Sequence, residues 1–346
     1  MATTMRAAVL YAPGDLRIED RTAPSELSEG EALIRVDTAG ICGSDLPRVL
    51  HTGTYSFPTI PGHEFAGEVI DFRGGGSRYK KGDRVAVAPI LPCFKCEHCA
   101  QGNYGQCDDY GYLGSRTDGG FAQYVKAPLR NLVSLPDSVS YRHAALIEPA
   151  AVTLHGMMRL DIRAGDTAMV LGCGAIGLFA VSFARILGAT RIIAVDVDDA
   201  KLLLAKRAGA TILCNSKNKD ACAEYKADVV VETAGVAATQ SGAIRAAKKH
   251  GQILYLGTAH HDVVFPPKVF ERIVRDELRI TGSWNSFSAP FPGREWQAIV
   301  DYMQNGALDM ELFVTHDIAL EQLPEFLVKM DKRTFSFNKV LVSMHV

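Results

Sequence analysis

The sequence contains no apolar run of about 20 residues, the length that a helix needs to cross a lipid bilayer. It also lacks a strong charge of one sign, because 37 Lys and Arg stand against 39 Asp and Glu, a formal net charge of −2. We therefore expect neither nucleic acid nor a membrane as a partner. Residues 1–6 lack the apolar segment of a secretory signal, so we expect a reducing, cytoplasmic location.

The chain has 346 residues, of which 47% are hydrophobic and 22% charged, a composition that favours two ordinary globular domains. In the first ~140 residues, short apolar segments alternate with Gly- and Pro-containing turns, which predicts a β-rich domain. The clearest predicted strands in this part are residues 7–11, 31–36, 67–70 and 84–87.

From about residue 150 the pattern changes to alternating apolar strands and helices, which is typical of a doubly wound parallel sheet. Strands are predicted at 168–172, 191–195, 228–232 and 252–256, and helices at 175–187 and 198–208. A helix near 295–305 and a last strand at 339–342 follow. The predicted fold class is α/β, with a β-rich domain of residues 1–150 and 287–346 and a parallel-sheet domain of residues 151–286.

Four cysteines follow the pattern Cys-x2-Cys-x2-Cys-x7-Cys, at Cys93, Cys96, Cys99 and Cys107. Zinc binds four thiolates as a tetrahedron, and this spacing lets one short loop supply them all. An iron–sulfur cluster is the alternative, although its usual bacterial motif ends Cys-x3-Cys-Pro. A disulfide framework is a third interpretation. The other cysteines outside position 42, at Cys173, Cys214 and Cys222, are expected to be small buried or incidental side chains.

A Gly-x-Gly-x-x-Gly motif lies between a predicted strand and a predicted helix; it consists of Gly172, Cys173, Gly174, Ala175, Ile176 and Gly177. Its glycines allow a tight turn, close approach of a pyrophosphate, and close packing of helix on strand. Asp196 follows about 20 residues later, where a carboxylate accepts hydrogen bonds from a ribose and disfavours a 2′-phosphate. The motif predicts NAD binding, with a nucleotide-free turn as the alternative. Asp198 and Asp199 fit a helix start without a ligand.

Cys42, His63 and Glu148 could form a second metal site, although their distance along the chain cannot show that they meet. A catalytic zinc has three protein ligands and one open position, at which an alcohol can lose its proton. Each of the three residues taken alone is equally compatible with a structural role.

Taken in order, Gly-x-Cys42-Gly-Ser-Asp, Gly62-His63-Glu64, the four-cysteine loop, Glu148-Pro149 and the glycine motif resemble the zinc-containing medium-chain dehydrogenase/reductase family. The resemblance covers essentially the whole chain. It is strongest to the polyol dehydrogenases, on residues 42–48, 92–96, 114–122, 282–284 and 292–296.

The resemblance implies a GroES-like β-rich catalytic domain, a Rossmann domain that binds NAD, and an active site in the cleft. It also implies two zinc ions per chain. The catalytic ion would be held by Cys42, His63 and Glu148, and the structural ion by the four cysteines, in a lobe of about residues 92–108. Glu64 would be able to approach the catalytic metal, Ser44 would pass on the substrate proton, and Thr153 would lie near the nicotinamide.

The resemblance further implies a homodimer or homotetramer. One position departs from the family, because many relatives have a histidine five residues after the first zinc-ligand cysteine, where this chain has Pro47. His51, or solvent reached through Glu148, would then complete the path of the proton.

The expected reaction is oxidation of a secondary alcohol of a polyol phosphate to a ketone, with galactitol 1-phosphate to tagatose 6-phosphate as the leading case. A free polyol, a vicinal diol or threonine are alternative substrates, and a noncatalytic NAD- or zinc-binding protein is a remote alternative. Arg48 and Arg116 are candidates for phosphate binding, since arginine pairs bidentately with phosphate, although both could be surface or ion-paired residues. Trp284 and Asn285 are candidates for the substrate cleft, with a core position as the alternative for Trp284.

Overall fold

The computed structural model describes residues 4–74, 78–218, 222, 224–259 and 261–345. Residues 1–3, part of the segment considered for a secretory signal, lie outside this description. The first of two compact units comprises Met1–Glu148, Phe287–Gly306 and Val314–Val346, and the second comprises Pro149–Ser286 and Ala307–Phe313. Among the described residues, no helix is both long and apolar enough to span a membrane.

The segment Ala307–Phe313 lies in the second unit, whereas the sequence placed it in the first. The ring of Phe313 stacks on Phe179 with a centroid distance of 4.0 Å, and Arg185 Nη2 donates to the Ala307 carbonyl at 3.1 Å. These contacts explain the correction, because they tie the segment to a helix of the parallel-sheet unit.

The strands and helices are given in chain order. The strands are β1 (Thr4–Ala12), β2 (Asp15–Thr22), β3 (Glu31–Gly40), β4 (Glu64–Phe72), β5 (Arg84–Val87), β6 (Ile90–Leu91), β7 (Gly111–Tyr112), β8 (Tyr124–Pro128), β9 (Leu132–Ser134), β10 (Thr167–Leu171), β11 (Arg191–Asp196), β12 (Ile212–Asn215), β13 (Ala227–Glu232), β14 (Ala247–Tyr255), β15 (Arg279–Gly282), β16 (Val314–Ala319) and β17 (Lys339–Ser343). The helices are α1 (Asp45–Pro47), α2 (Glu97–Ala100), α3 (Tyr141–Ala144), α4 (Ile147–Met157), α5 (Ala175–Ile186), α6 (Asp199–Ala208), α7 (Ala237–Ala246), α8 (Pro267–Arg275), α9 (Arg294–Gln304) and α10 (Leu323–Asp331).

The second unit is built on a six-stranded parallel sheet with the strand order β12-β11-β10-β13-β14-β15. Every residue of β10 is buried, as expected for a central parallel strand covered on both faces. The order of the strands reverses between β10 and β13, and in such sheets ligands bind outside the carboxyl ends of the strands at this point. The predicted doubly wound architecture is confirmed, and the glycine motif follows β10 at that end.

The first unit contains a seven-stranded sheet in which β3 pairs with β17, β4 and β8. Gly40 ends β3 and faces Glu64, the first residue of β4, while Leu341 of β17 pairs with Gly40 from the other side. The end of β3 and the start of β4 therefore meet beside the middle of β17, and Cys42 follows the last residue of β3 by two positions. A side chain at position 40 would collide with the Glu64 carboxylate, so a glycine is required there.

The expectation for the remaining cysteines is wrong for one pair, because Cys214 and Cys222 form a disulfide. Cys214 is the buried third residue of β12, and its Cα lies 5.8 Å from that of Cys222, inside the range that a disulfide needs. Cys173 is a buried free thiol, as expected.

Candidate active site and metal centres

Cys42, His63 and Glu64 form a compact group of metal-binding donors at the meeting point of β3, β4 and β17. One ligand atom from each of the three lies within 4.8 Å of the others. His63 and Glu64 are buried, and Cys42 is half-buried. A thiolate, an imidazole and a carboxylate are the donor types of catalytic zinc sites, so the residues present fit this metal.

Asp45 supports two members of this group. Its Oδ2 accepts a hydrogen bond from the Cys42 backbone N–H at 2.9 Å, and its Oδ1 lies 3.4 Å from His63 Nδ1, without hydrogen-bond geometry. Burial alone would raise the pKa of Asp45, yet the nearby His63 ring and the Cys42 N–H outweigh it and lower the pKa. A carboxylate behind a histidine orients the ring of a metal ligand.

Lys339 neutralises Glu64 in the interior. Its Nζ lies 2.5 and 2.8 Å from the two carboxylate oxygens, and both side chains are almost fully buried. The ammonium also donates to the Ile41 carbonyl at 3.1 Å. Burial would lower the pKa of Lys339, but the charges of Glu64, Cys42 and Glu148 and the hydrogen bonds to Glu64 together raise it. The pair compensates two buried charges and holds Glu64 beside Cys42.

Glu148 lies next to this group but not inside it. Its Oε1 accepts a hydrogen bond from the Tyr112 hydroxyl at 3.3 Å, and the Tyr112 ring packs edge-on against His63 at 5.8 Å between centroids. Burial raises the pKa of Glu148 to about 7; His63 opposes this shift and the Glu64 carboxylate adds to it. The structure thus brings together Cys42, His63 and Glu64, and places the expected ligand Glu148 beside them.

Ser44 and Arg48 form a chain of hydrogen bonds that ends at Cys42. The Ser44 hydroxyl donates to Cys42 Sγ at 3.3 Å, and Arg48 Nη1 donates to Ser44 Oγ at 3.2 Å. His51, the residue considered for the end of a proton path, is exposed and contacts Asp331 at 3.1 Å. The hydroxyl of Ser44 therefore has a fixed orientation next to a metal-binding thiol.

The four cysteines of the lobe form the second group of donors. Cys93 Sγ lies 4.0 Å from Cys99 Sγ, and Cys96 Sγ lies 3.9 Å from Cys107 Sγ. Sulfur atoms around one tetrahedral zinc are about 3.8 Å apart, so the thiols present fit this metal. The backbone N–H of Lys95, together with that of Cys96, lowers the pKa of Cys93 to about 7, which favours the metal-binding thiolate.

An aromatic cluster anchors the lobe within its unit. The rings of Phe94, Tyr104 and Phe291 lie 5.2–5.5 Å apart in edge-to-face or tilted contacts. Phe287 joins Phe291 to the buried Trp296. The cysteine loop is therefore packed against the segment that leads into α9, which is the arrangement of a structural metal lobe.

In the second unit, the glycine motif has the backbone that a dinucleotide requires. Gly172 has φ +96°, and a Cβ there would meet Ala234 at 2.9 Å. A Cβ at Gly177 would collide with the Gly172 carbonyl, whereas one at Gly174, the residue before α5, would point into open space. Open space beside free N–H groups of a helix N-terminus leaves room for a pyrophosphate, so the loop fits the coenzyme.

Asp196, at the end of β11, is held by three backbone N–H groups. Oδ2 accepts from Cys173 at 2.6 Å, and Oδ1 accepts from Val197 at 2.7 Å and Asp198 at 3.0 Å. The carboxylate is thereby fixed beside the glycine loop. Asp198 caps α6 by accepting from the Ala200 N–H at 2.9 Å, which agrees with a helix-start role.

The remaining expected residues of the second unit lie at two places. Thr153 is buried in α4, and its hydroxyl donates to the Pro149 carbonyl at 2.9 Å. Trp284 and Asn285 follow the carboxyl end of β15. The Trp284 side chain is 54% exposed, so the alternative of a core tryptophan is wrong.

Three residues of the first unit were not expected at the site from sequence: Asp45, Tyr112 and Lys339. Asp45 is the last residue of the Gly-x-Cys42-Gly-Ser-Asp motif, and its position three residues after Cys42 could have indicated a role near the metal. Tyr112 and Lys339 carried none, because a lone tyrosine and a lysine near the end of the chain acquire a role only through the pairing of β17 with β3 and the contact with Glu148.

Comparisons with known proteins agree with this arrangement. The family model "Alcohol dehydrogenase GroES-like domain" matches residues 28–137, and the model "Zinc-binding dehydrogenase" matches residues 175–305. Galactitol 1-phosphate 5-dehydrogenase of Escherichia coli (strain K12) is 34% identical over 93% of this chain and 95% of its own length. The crystal structure of galactitol-1-phosphate dehydrogenase from Escherichia coli has a TM-score of 0.90 at 32% identity and covers 98% of this chain and 99% of that one.

Two further relatives differ in the substrate or coenzyme that is named. Sorbitol dehydrogenase of Bacillus subtilis (strain 168) is 34% identical over 92% of this chain and 91% of its own length. A zinc-binding dehydrogenase from Sinorhizobium meliloti, bound to NADP, has a TM-score of 0.89 at 30% identity, covering 99% of both chains. The motifs, the two units and these similarities show that the chain belongs to the zinc-containing medium-chain dehydrogenase/reductase family.

Proposed function

We propose that the chain is a zinc- and NAD-dependent dehydrogenase that oxidises a secondary alcohol of a polyol phosphate to a ketone. Galactitol 1-phosphate to tagatose 6-phosphate is the leading reaction. The observation that carries the proposal is the compact group of Cys42, His63 and Glu64, with the Ser44 hydroxyl donating to the Cys42 thiol. The 34% identity with galactitol 1-phosphate 5-dehydrogenase supports the choice of substrate.

In this proposal Cys42 and His63 would hold the catalytic zinc, and Glu64 or Glu148 would complete the set. Zinc bound there would supply a Lewis acid that lowers the pKa of an alcohol, and NAD would supply the acceptor of a hydride. Asp45 orients His63 and the Cys42 backbone, and Ser44 accepts the proton of the substrate hydroxyl while it passes its own hydroxyl proton on towards solvent. The four cysteines hold a second, structural zinc, because four thiolates leave no open position for an alcohol.

The two carboxylates can be separated by substitution. Glu64→Gln removes the charge paired with Lys339, and Glu148→Gln removes the negative charge of the side chain that accepts from the Tyr112 hydroxyl. If Glu64 is the third zinc ligand, Glu64→Gln should bind the catalytic zinc more weakly than Glu148→Gln does, and the order should be reversed if Glu148 is the ligand. Metal analysis after dialysis against a chelator measures the difference. Glu68→Gln is the matched control, since Glu68 lies on the same strand and pairs with Arg35 near the surface.

The decisive experiment is an assay of NADH formation across polyol phosphates, free polyols, vicinal diols and threonine, with and without a chelator. We expect the fastest turnover with a polyol phosphate and loss of turnover with the chelator. Good turnover of free sorbitol beside no turnover of any phosphate ester would instead support the second candidate, a free-polyol dehydrogenase, which the similarity to sorbitol dehydrogenase favours.

The preference for NAD is proposed from Asp196, whose fixed carboxylate would repel a 2′-phosphate. Asp196→Ala should shift the ratio of kcat/KM with NAD to that with NADP towards NADP. Asp199→Ala is the control, because Asp199 pairs with Asn215 at 2.7 Å. A ratio that Asp196→Ala leaves unchanged would contradict the assignment.

We propose that the protein is a homo-oligomer, a dimer or tetramer. β15 is the outer strand of the parallel sheet, and Ile280 on it is exposed together with Phe270 and Val274 of α8. Parallel strands are normally covered, and an open apolar edge favours pairing with a second copy. Ile280→Lys should lower the molecular mass of the oligomer found by sedimentation. Leu203→Lys, at an exposed apolar residue elsewhere in the second unit, should not.

A further inference from the structure

Arg116 has an environment that indicates a missing anionic partner. Its guanidinium carbon lies 3.8 Å from the centroid of the Tyr55 ring and 4.6 Å from that of Tyr110. Its Nε is buried and has no hydrogen-bond acceptor in the part of the chain that the structure describes. Within the same residues, no carboxylate is paired with Arg116. A buried donor without an acceptor is costly, so this arrangement calls for a ligand.

The two rings determine which kind of ligand fits. Both rings contact the planar guanidinium by cation–π interaction, which leaves the N–H groups along its edge to form hydrogen bonds. This edge is a rigid fork that matches the oxygens of a phosphate monoester or a carboxylate. Stacking also restricts rotation of the Arg116 side chain, so little further conformational entropy is lost when such a group binds.

Aromatic contacts lead from Arg116 to the metal-binding group. The Tyr110 ring lies 6.4 Å from Tyr112, and the Tyr112 ring lies 5.8 Å from that of His63. The Tyr55 N–H donates to the Ser115 carbonyl at 3.3 Å, which joins the segment after Arg48 to the one before Arg116. Arg116 is therefore linked to the metal-binding group within the first unit, with the rings of Tyr110 and Tyr112 between them.

Arg48 differs from Arg116 in this respect. Its Nη1 donates to Ser44 Oγ, and Ser44 donates to the Cys42 thiol, so Arg48 acts where the alcohol reacts. A residue at that end contributes equally to substrates with and without a phosphate. The two arginines that sequence grouped together therefore have different surroundings and should have separable effects.

We propose that Arg116, held between Tyr55 and Tyr110, binds the phosphoryl group of a phosphorylated polyol and sets the preference for phosphate esters over free polyols. Arg48 is a positioning residue for Ser44. The inference rests on the proposed function, because it assigns one group of that substrate to one side chain.

The test compares kcat/KM for a polyol phosphate with kcat/KM for the same polyol without phosphate, in the holoenzyme. Arg116→Gln should lower the ratio of the two constants on the order of 10- to 100-fold, the effect of losing charge-assisted hydrogen bonds. Arg116→Lys should lower it less, because an ammonium keeps the charge without the fork. Arg48→Gln should lower both constants and leave their ratio unchanged.

Arg130→Gln is the matched control, because Arg130 also stacks on an aromatic ring, Phe94, at 4.6 Å and the substitution removes the same charge. It should leave the ratio as in the wild type. If Arg116→Gln also leaves the ratio unchanged while the wild type prefers the phosphate ester, the inference is overturned and the proposed function stands.

A second measurement does not require a phosphorylated substrate. Inorganic phosphate should inhibit oxidation of a free polyol, and Arg116→Gln should weaken this inhibition at least about tenfold, whereas Arg130→Gln should not. Equal inhibition of the wild type and Arg116→Gln would overturn the inference. A wild type that turns over no phosphate ester would instead remove the proposed substrate, whatever the inhibition shows.

Discussion

The two groups of metal donors differ in how the chain assembles them. The four cysteines lie within residues 93–107, and local turns bring their sulfur atoms to 3.9–4.0 Å. Cys42 lies 21 residues before the adjacent His63 and Glu64, and Lys339, which neutralises Glu64, lies 275 positions after it. The first group depends on a loop, and the second on the register of a sheet.

This difference predicts different consequences of damage. Loss of a thiol from the lobe should release a metal and loosen one loop, because the metal would join the turns that carry the four donors. We call Cys42, His63 and Glu64 the sheet group. Loss of a donor from the sheet group should abolish turnover and leave the strands in place, because hydrogen bonds between β3, β4 and β17 do not depend on the metal.

The largest expected effect follows from Cys42→Ala, which removes a donor and the acceptor of the Ser44 hydroxyl. Turnover should fall to background in the NADH assay, while the circular dichroism spectrum should match that of the wild type. Turnover near the wild-type rate would show that the sheet group is not the reacting centre.

Cys99→Ser should lower the metal content from the proposed two zinc ions per chain to about one and lower the thermal midpoint. Cys99 is the lobe thiol that lies opposite Cys93. Metal analysis and calorimetry measure both effects, and the remaining zinc should support turnover at low temperature. Complete loss of turnover with retention of both metals would reverse the roles given to the two groups.

Lys339→Met should lower the free energy of unfolding of the metal-free protein by roughly 3–5 kcal/mol, because Glu64 would be left as an unpaired buried charge. Denaturant unfolding in the presence of a chelator measures it. Lys248→Met is the control: its pair with Asp228 at 2.8 Å is partly exposed, and its loss should cost at most about 1 kcal/mol. Equal costs would contradict the burial argument.

Asp45→Asn should weaken zinc binding at the sheet group by roughly 10- to 100-fold, as expected for loss of the carboxylate behind a metal-binding histidine. Competition with a chelator of known affinity provides the measurement. Asp37→Asn is matched to it, since Asp37 also contacts a histidine, His345 at 2.6 Å, but near the surface. If both variants bind zinc like the wild type, Asp45 does not orient His63.

The fold was accessible from sequence wherever the pattern is local. Alternating strands and helices after residue 150, with glycines at 172, 174 and 177, predicted the parallel sheet and its coenzyme loop. Boundaries that depend on distant contacts were not accessible. Residues 307–313 join the second unit through Phe313 on Phe179, which no local pattern indicates.

The candidate site shows the same limit. Sequence identified Cys42 and His63 by motif, but it placed Glu148 ahead of Glu64 as the third ligand, and it gave no order for Arg48 and Arg116. The structure distinguishes the members of each pair by their neighbours. Glu64 is paired with Lys339, whereas Glu148 accepts from the Tyr112 hydroxyl. Arg48 donates to Ser44, whereas Arg116 lies against two tyrosine rings.

Sequence by itself determined which residues can bind metal and coenzyme, because donor type and short spacing are properties of the chain alone. Only the tertiary structure decided which carboxylate stands among the donors and which arginine lacks a partner. The reason is physical: the cost of a buried charge depends on what surrounds it. Here Lys339, the first residue of β17, reaches Glu64 because β17 pairs with β3, although the two residues lie 275 positions apart along the chain.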